Sequence, residues 1–116
     1  ESIDSLFCQT YPTDIYIYVD GPIDVELASI LNKYDKNNEN FFLFFNEVNR
    51  GLAYALNYLI DIVLSKDYLY IARMDSDDIC KSERIHKQVT CLASSDIDIL
   101  GGACSEFGSD ISLKSL

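Results

Sequence analysis

The sequence predicts an α/β fold in which a mainly parallel sheet is flanked by helices. Short strand-like runs alternate with longer segments of helical period along the 116 residues, and this alternation is typical of parallel strands joined by right-handed crossovers. A hydrophobic content of 48% in a chain of this length supports a single core. We therefore expect one domain covering residues 1–116.

The amino-terminal part of the chain supplies a helix, a strand and a second helix. Residues 1–10 have a helical period, which Pro12 ends. Residues 15–19 are aromatic and β-branched and predict a strand. Pro22 then lies at or near the first turn of a helix that extends to about residue 34.

The remaining elements repeat the alternation. Residues 41–45 are a continuous apolar run and predict a buried strand, and the strong helical period that follows Gly51 predicts a long helix. Residues 68–71 predict a second buried strand. Ser82 is a credible N-cap for the next helix, and residues 97–100 predict one more short strand.

Three carboxylates, those of Asp75, Asp77 and Asp78, follow the predicted strand 68–71. Such a position is the carboxyl end of a strand, where open α/β sheets bind ligands. Like charges within one turn repel one another unless a cation or a raised pKa relieves them, although a surface loop could solvate them. Because Mg²⁺ and Mn²⁺ prefer carboxylate oxygens and keep positions open for phosphates, the pattern predicts a site for one of these metals.

Other acidic motifs can be compared with this one. A calcium-binding EF-hand loop that starts at Asp75 would need an oxygen ligand, Gly and Glu where the chain has Ile79, Cys80 and His86, so that hypothesis fails. The Asp-x-Asp pattern also resembles the first motif of haloacid-dehalogenase-like phosphohydrolases, in which Asp75 would be the nucleophile. That function, and a noncatalytic α/β interaction module, stay open as alternatives.

Charge and cysteine usage exclude several classes of partner. With 19 acidic and 9 basic residues, the formal net charge is −10, which disfavours nucleic acid as a partner. The four cysteines lack zinc-site spacing and are expected to be free thiols in a reducing cytoplasm. No apolar run approaches the roughly 20 residues of a transmembrane helix, so a cytoplasmic location is expected.

Several segments together resemble the family 2 glycosyltransferases, and they occur in the family's order. The resemblance covers nearly the whole chain and is closest to bacterial enzymes that build surface polysaccharide. The segments are residues 9–12 (Gln-Thr-Tyr-Pro), 19–21 (Val-Asp-Gly), 49–52 (Asn-Arg-Gly-Leu), 55–57 (Ala-Leu-Asn) and 72–78 (Ala-Arg-Met-Asp-Ser-Asp-Asp), with Arg84 and Gln88.

The resemblance implies the nucleotide-binding half of a Rossmann-like GT-A fold. In that family the chain opens with a strand that lies between those assigned here to residues 15–19 and 68–71. We therefore expect residues 1–116 to be a partial glycosyltransferase domain that lacks its first strand, with unpaired backbone groups where that strand would lie.

The resemblance also implies site residues. Asp20 would bind the nucleobase, Asp75 would face the ribose and diphosphate, and Asp77, with Asp75, would hold Mn²⁺ or Mg²⁺. Asp78 would orient the ligands around the metal. Arg50 would approach the nucleotide. From the residues alone, Asp20 could instead cap the next helix, and Arg50 could be an ordinary exposed cation.

The implied reaction is metal-assisted, inverting transfer of a sugar from a nucleotide-diphosphate sugar, a UDP-sugar by preference, to a saccharide or lipid-linked acceptor. It would serve bacterial polysaccharide biosynthesis, in the cytoplasm or at the inner face of the membrane with peripheral association. No catalytic residue is assigned within the chain, because the family's acidic base is expected beyond Leu116. The chain alone is therefore expected to be inactive.

Overall fold

The computed structural model describes residues 1–106 of the chain. Within that range strands and helices alternate, which confirms the predicted α/β class. None of the helices in this part is long and apolar enough to cross a membrane. The elements are α1 (Ser2–Phe7), β1 (Ile15–Asp20), α2 (Val25–Asn37), β2 (Phe41–Asn46), α3 (Leu52–Leu64) and α4 (Arg84–Ala93).

Strands β1 and β2 form a parallel pair, with α2 as the crossover between them. Ile15 lies opposite Phe41 at one end of the register, and Asp20 lies opposite Asn46 at the other. Both strands thus end at the same edge. The loops that follow Asp20 and Asn46 are placed side by side there.

Helices cover both faces of this pair. The ring of Phe41 lies 6.0 Å from that of Phe7 in α1 and 5.8 Å from that of Tyr34 in α2. On the opposite face, the ring of Phe44 lies 5.8 Å from that of Tyr58 in α3. Alternate residues of a strand face opposite sides, so β2 joins the two helical layers through its own side chains.

The core is thin. Phe41, Ile15 and Leu31 are only 3%, 4% and 5% exposed, yet no side chain among residues 1–106 falls below 2%. Full burial of an aliphatic or aromatic side chain contributes about 1.5–3 kcal/mol. The apolar stabilisation therefore comes from a few nearly buried residues on β1, β2 and the helices.

The predicted strands at 68–71 and 97–100 are wrong: neither segment joins the sheet of the described residues. Leu69 is 88% exposed and Ile71 58% exposed, so the first segment is not buried either. A strand needs a neighbour for its backbone N–H and C=O groups. Apolar, β-prone side chains do not form a strand without such a neighbour.

Two predicted helix starts are also corrected. Helix α2 begins at Val25, after the N-cap Asp24, so Pro22 precedes the helix. Helix α4 begins at Arg84 after Glu83, and Ser82 is not its cap. The Asp24 carboxylate accepts a 2.7 Å hydrogen bond from the Leu27 N–H. This bond fixes the start of α2 at Val25, three residues after Pro22.

Candidate functional site

Asp20, the last residue of β1, joins the carboxyl edge of the strand pair to α3. Its Oδ1 accepts a hydrogen bond from the Arg50 N–H at 2.9 Å, and its Oδ2 accepts one from the Gly51 N–H at 2.7 Å. The first N–H groups of a helix lack partners within the helix and attract negative charge. Asp20 therefore holds the two residues that lead into α3, and it does not cap the helix that follows it in sequence, whose N-cap is Asp24.

The loops after β1 and β2 contact each other at this edge. The Gly21 N–H donates to the Asn46 carbonyl at 3.1 Å. Gly21 has a φ of +108°, and a Cβ there would lie 3.2 Å from the Asn49 backbone nitrogen. Both the positive φ and the close approach require glycine. The two loops consequently form one unit that presents Asp20 and Arg50 together.

The Arg50 side chain is oriented by Tyr54 one turn into α3. Its Nη1 donates to the Tyr54 hydroxyl at 3.1 Å, and its guanidinium carbon lies 4.8 Å from the centre of the ring. Such stacking stabilises a guanidinium in a defined position. Sequence reasoning assigned Tyr54 no role, although its spacing of four residues from Arg50 was a usable signal.

The Tyr18 ring lies 6.4 Å from the Tyr54 ring. Desolvation raises the pKa of Tyr18, and the nearby Tyr54 and Asp20 raise it further. The phenol therefore remains a neutral hydrogen-bonding group at physiological pH.

The acidic residues form a turn that the Asp78 N–H closes onto the Asp75 carbonyl at 3.2 Å. The Asp75 carboxylate pairs with the Arg73 guanidinium, and both side chains are about half exposed, at 50% and 52%. The Asp77 carboxylate is exposed and makes no hydrogen bond or ion pair to any residue that the structure describes. Asp77 is thus the more accessible of the two predicted metal ligands.

Asp75, Asp77 and Asp78 are neighbours in sequence, but their carboxylates are not gathered around one point. In residues 1–106 no group of three or more His, Cys, Asp or Glu side chains is placed to hold a metal ion. The turn also follows an irregular segment, not the carboxyl end of a strand. Mg²⁺ is often held by only one or two carboxylates together with substrate phosphates and water. Asp75 and Asp77 fit such a limited donor set.

The predicted site residues fall into two groups. Asp20 and Arg50 are in direct contact through the backbone of Arg50. Asp75 and Asp77 lie in the separate acidic turn, and no hydrogen bond or ion pair within residues 1–106 joins the two groups. The structure therefore brings together half of the predicted site and leaves the other half apart.

Comparison with known proteins gives one family. The family model described as glycosyl transferase family 2 matches residues 1–115. An uncharacterized glycosyltransferase of Haemophilus influenzae is 33% identical over 96% of this chain and 41% of its own length. No solved structure matches the chain significantly.

Two relatives have names that describe a pathway. The O-antigen biosynthesis glycosyltransferase WbnJ of Escherichia coli is 34% identical over 86% of this chain and 38% of its own length. The amylovoran biosynthesis glycosyltransferase AmsE of Erwinia amylovora is 33% identical over 89% of this chain and 38% of its own length.

The chain spans about two fifths of the length of these relatives. The match covers the segments around Asp20, Arg50 and the acidic turn alike. It favours a sugar transferase over a phosphohydrolase. The chain belongs to glycosyl transferase family 2, whose Rossmann-like GT-A fold agrees with its parallel strands and flanking helices.

Proposed function

We propose that this protein takes part in the transfer of a sugar from a nucleotide-diphosphate sugar, with a UDP-sugar as the preferred donor. One observation carries the proposal: the Asp20 carboxylate fixes the Arg50 backbone at the carboxyl edge of two parallel strands. That edge is where α/β sheets bind nucleotides. Family membership supplies the reaction class.

The acceptor is proposed to be a saccharide or a lipid-linked glycan. Support comes from the names of the relatives, which place WbnJ in O-antigen biosynthesis and AmsE in amylovoran biosynthesis. Bacterial polysaccharide biosynthesis is the corresponding proposal for this protein. A cytoplasmic location belongs to the same proposal, because the four cysteines are free thiols.

Asp20 and Arg50 are proposed to bind the nucleotide. Each oxygen of the Asp20 carboxylate accepts one backbone N–H, and a carboxylate oxygen has a further lone pair for a nucleobase N–H. The Arg50 guanidinium stacks on Tyr54, while the backbone of the same residue is held by Asp20. A stacked, exposed guanidinium is suited to a phosphate oxygen.

Asp75 and Asp77 are proposed to meet the ribose and diphosphate side of the donor. Asp77 offers an exposed carboxylate with no competing partner among residues 1–106, so it is the favoured ligand for Mn²⁺ or Mg²⁺. Asp75 shares its carboxylate with Arg73. When bound, such a cation would supply Lewis-acid stabilisation of the charge on the departing diphosphate.

Inversion at the anomeric carbon is part of the proposal and requires a carboxylate base for the acceptor hydroxyl. We assign that role to none of the described carboxylates. The chain by itself is therefore proposed to bind the donor without transferring the sugar.

A thermal-shift series tests donor binding. UDP-, GDP- and dTDP-sugars are added to the chain with and without Mn²⁺. Binding to the folded state at ten times Kd adds about 1.4 kcal/mol of stability, which corresponds to several degrees in Tm for a domain near 100 residues. We expect the largest rise for the UDP-sugar with Mn²⁺.

Other outcomes would contradict the proposal. Hydrolysis of an aryl phosphate that disappears in Asp75→Asn would favour the phosphohydrolase. A Tm that no nucleotide or divalent ion changes would favour a noncatalytic module.

A further inference from the structure

A row of hydrogen bonds joins residues 5–10 to residues 80–85, which lie 72 to 76 positions further along the chain. We call this contact the 5–10/80–85 seam. The buried Ser5 and Ile85, 9% and 7% exposed, lie within it. Its bonds run from Cys80 N–H to Ser5 Oγ (2.9 Å), Gln9 Nε2 to the Lys81 carbonyl (2.9 Å), Thr10 N–H to the Ser82 carbonyl (2.9 Å) and Ile85 N–H to Gln9 Oε1 (3.1 Å).

Gln9 is the centre of this seam. Its Oε1 accepts from the Ile85 N–H in the first turn of α4, where the N-cap Glu83 makes no side-chain capping bond. Its Nε2 donates to the Lys81 carbonyl and, at 3.0 Å, to the Ser5 carbonyl. Helix N-termini need an acceptor for their unpaired N–H groups. Gln9 supplies that acceptor for α4 from a distant part of the chain.

The seam begins immediately after the acidic turn, with only Ile79 between Asp78 and Cys80. The other end of the turn is held from α4 as well, because Arg84 Nη2 donates to the Arg73 carbonyl at 2.9 Å. Gln9 binds both α4 and the segment just before it. Both ends of the acidic turn are therefore attached to parts of the chain that Gln9 holds.

The turn has little else to hold it. The preceding segment forms no sheet ladder, and Leu69 and Ile71 are largely exposed. Ile79, between the turn and the seam, is 49% exposed. Apolar packing thus contributes little to its position, and the hydrogen bonds of the seam have to fix it.

We propose that Gln9 is a positioning residue for the donor site, acting through the seam on the carboxylates of Asp75 and Asp77. This inference rests on the proposed function. Gln9 touches neither carboxylate and is not a ligand. Metal affinity depends on ligands that are held in place before binding. A looser seam therefore weakens metal-dependent donor binding while leaving the contact of Asp20 and Arg50 with the nucleotide unchanged.

The test uses Gln9→Ala and a conservative partner, Gln9→Glu. The carboxylate of Gln9→Glu keeps an acceptor for the Ile85 N–H but loses the donor to the Lys81 and Ser5 carbonyls. The control is Asn40→Ala, which removes a similar bond, from Asn40 Nδ2 to the Thr13 carbonyl at 3.0 Å, near the opposite ends of the strands.

Hydrogen exchange and calorimetry are measured on each variant. In Gln9→Ala we expect the amide of Ile85 to exchange roughly fivefold faster or more, and the Mn²⁺-dependent part of UDP affinity to fall on the order of tenfold. Gln9→Glu should retain protection of Ile85 and lose less affinity. Asn40→Ala should change neither, and UDP affinity without Mn²⁺ should be equal in all variants.

The outcomes separate the two proposals. If the unmodified chain gains no UDP affinity from Mn²⁺, the proposed metal-assisted donor site fails, and the role of Gln9 fails with it. If the chain does gain affinity, but Gln9→Ala and Asn40→Ala reduce that gain equally or not at all, only the inference about Gln9 is overturned.

Discussion

The carboxylate of Asp20 holds the backbone of Arg50, thirty residues away, through a 2.9 Å hydrogen bond from the Arg50 N–H. The same carboxylate accepts from Gly51 at 2.7 Å. Asp20 thus ends β1 and holds the backbone of the two residues that lead into α3, Arg50 among them. A structural role and a proposed binding role coincide in Asp20, and experiments have to separate them.

Replacing Asp20 tests this double role. Asp20→Ala is expected to lower the free energy of unfolding by about 1–2 kcal/mol, because the Arg50 N–H loses its acceptor and the Gly51 N–H keeps only Asn49 Oδ1 at 3.1 Å. It should also weaken UDP binding with or without Mn²⁺. Chemical denaturation gives the stability, and calorimetry gives the affinity.

Asp24→Ala is the matched control for Asp20→Ala. It removes the cap of α2, a single bond to the Leu27 N–H, and should cost about 1 kcal/mol without changing UDP affinity. Equal loss of UDP affinity in both variants would mean that Asp20 acts only by stabilising the fold.

Arg50 should affect binding more than stability. Its side chain is exposed, and its one side-chain hydrogen bond among the described residues goes to Tyr54, so Arg50→Ala should change the free energy of unfolding by no more than about 1 kcal/mol. Arg50→Ala should also lower the affinity for UDP at low salt, because the proposed contact of the guanidinium with a phosphate oxygen is lost. Arg50→Lys should recover only part of it, because lysine keeps the charge and loses the planar stack.

Lys66→Ala provides the control for charge. It removes one positive charge from an exposed position just after α3. If Lys66→Ala and Arg50→Ala reduce UDP affinity equally, general electrostatic attraction explains the effect and the position of Arg50 does not.

Tyr68 predicts a specific pH dependence. The hydrogen bond that the Tyr68 hydroxyl donates to the Asp14 carboxylate raises the pKa of the Tyr68 phenol above its ordinary value of 10.0. Because the folded pKa is the higher one, the stabilisation is complete below pH 10 and is lost as the pH rises through the folded value.

Alkaline titration measures this dependence. The pKa values of Tyr18, Tyr34 and Tyr68 are all raised, and Tyr68 most of all, so tyrosinate absorbance should lose its latest step in Tyr68→Phe. The free energy of unfolding should also decline less above pH 10 in Tyr68→Phe than in the parent chain. An unchanged titration curve in Tyr68→Phe would contradict the assignment.

Local patterns in the sequence predict most of the fold. The helical period after Gly51 and the apolar run at 41–45 correspond to α3 and β2. Residues 68–71 have equally strong strand character, yet they form no strand because a ladder depends on a neighbour and not on the side chains alone. Composition within a segment carries no information about such a neighbour.

The sequence predicts which residues belong to the candidate site, but it does not predict which residues they contact. The acidic turn and Asp20 stand out as residues, but the bond from Gly51 to Asp20 spans 31 positions. The cap of α4 is similar: Ser82 is the local candidate, whereas Gln9 provides the acceptor from 76 positions away. Hydrogen bonds between residues so far apart in sequence can be identified only in the folded structure.

The most direct test of the account is calorimetric titration of UDP with and without Mn²⁺ into the parent chain, Asp77→Asn and Asp61→Asn. Asp61 is an exposed carboxylate on α3, so Asp61→Asn makes the same chemical change away from the acidic turn. We predict that Mn²⁺ tightens UDP binding to the parent chain and to Asp61→Asn, and that Asp77→Asn loses at least about tenfold of that gain. An equal gain in all three proteins would contradict the assignment of Asp77 as metal ligand.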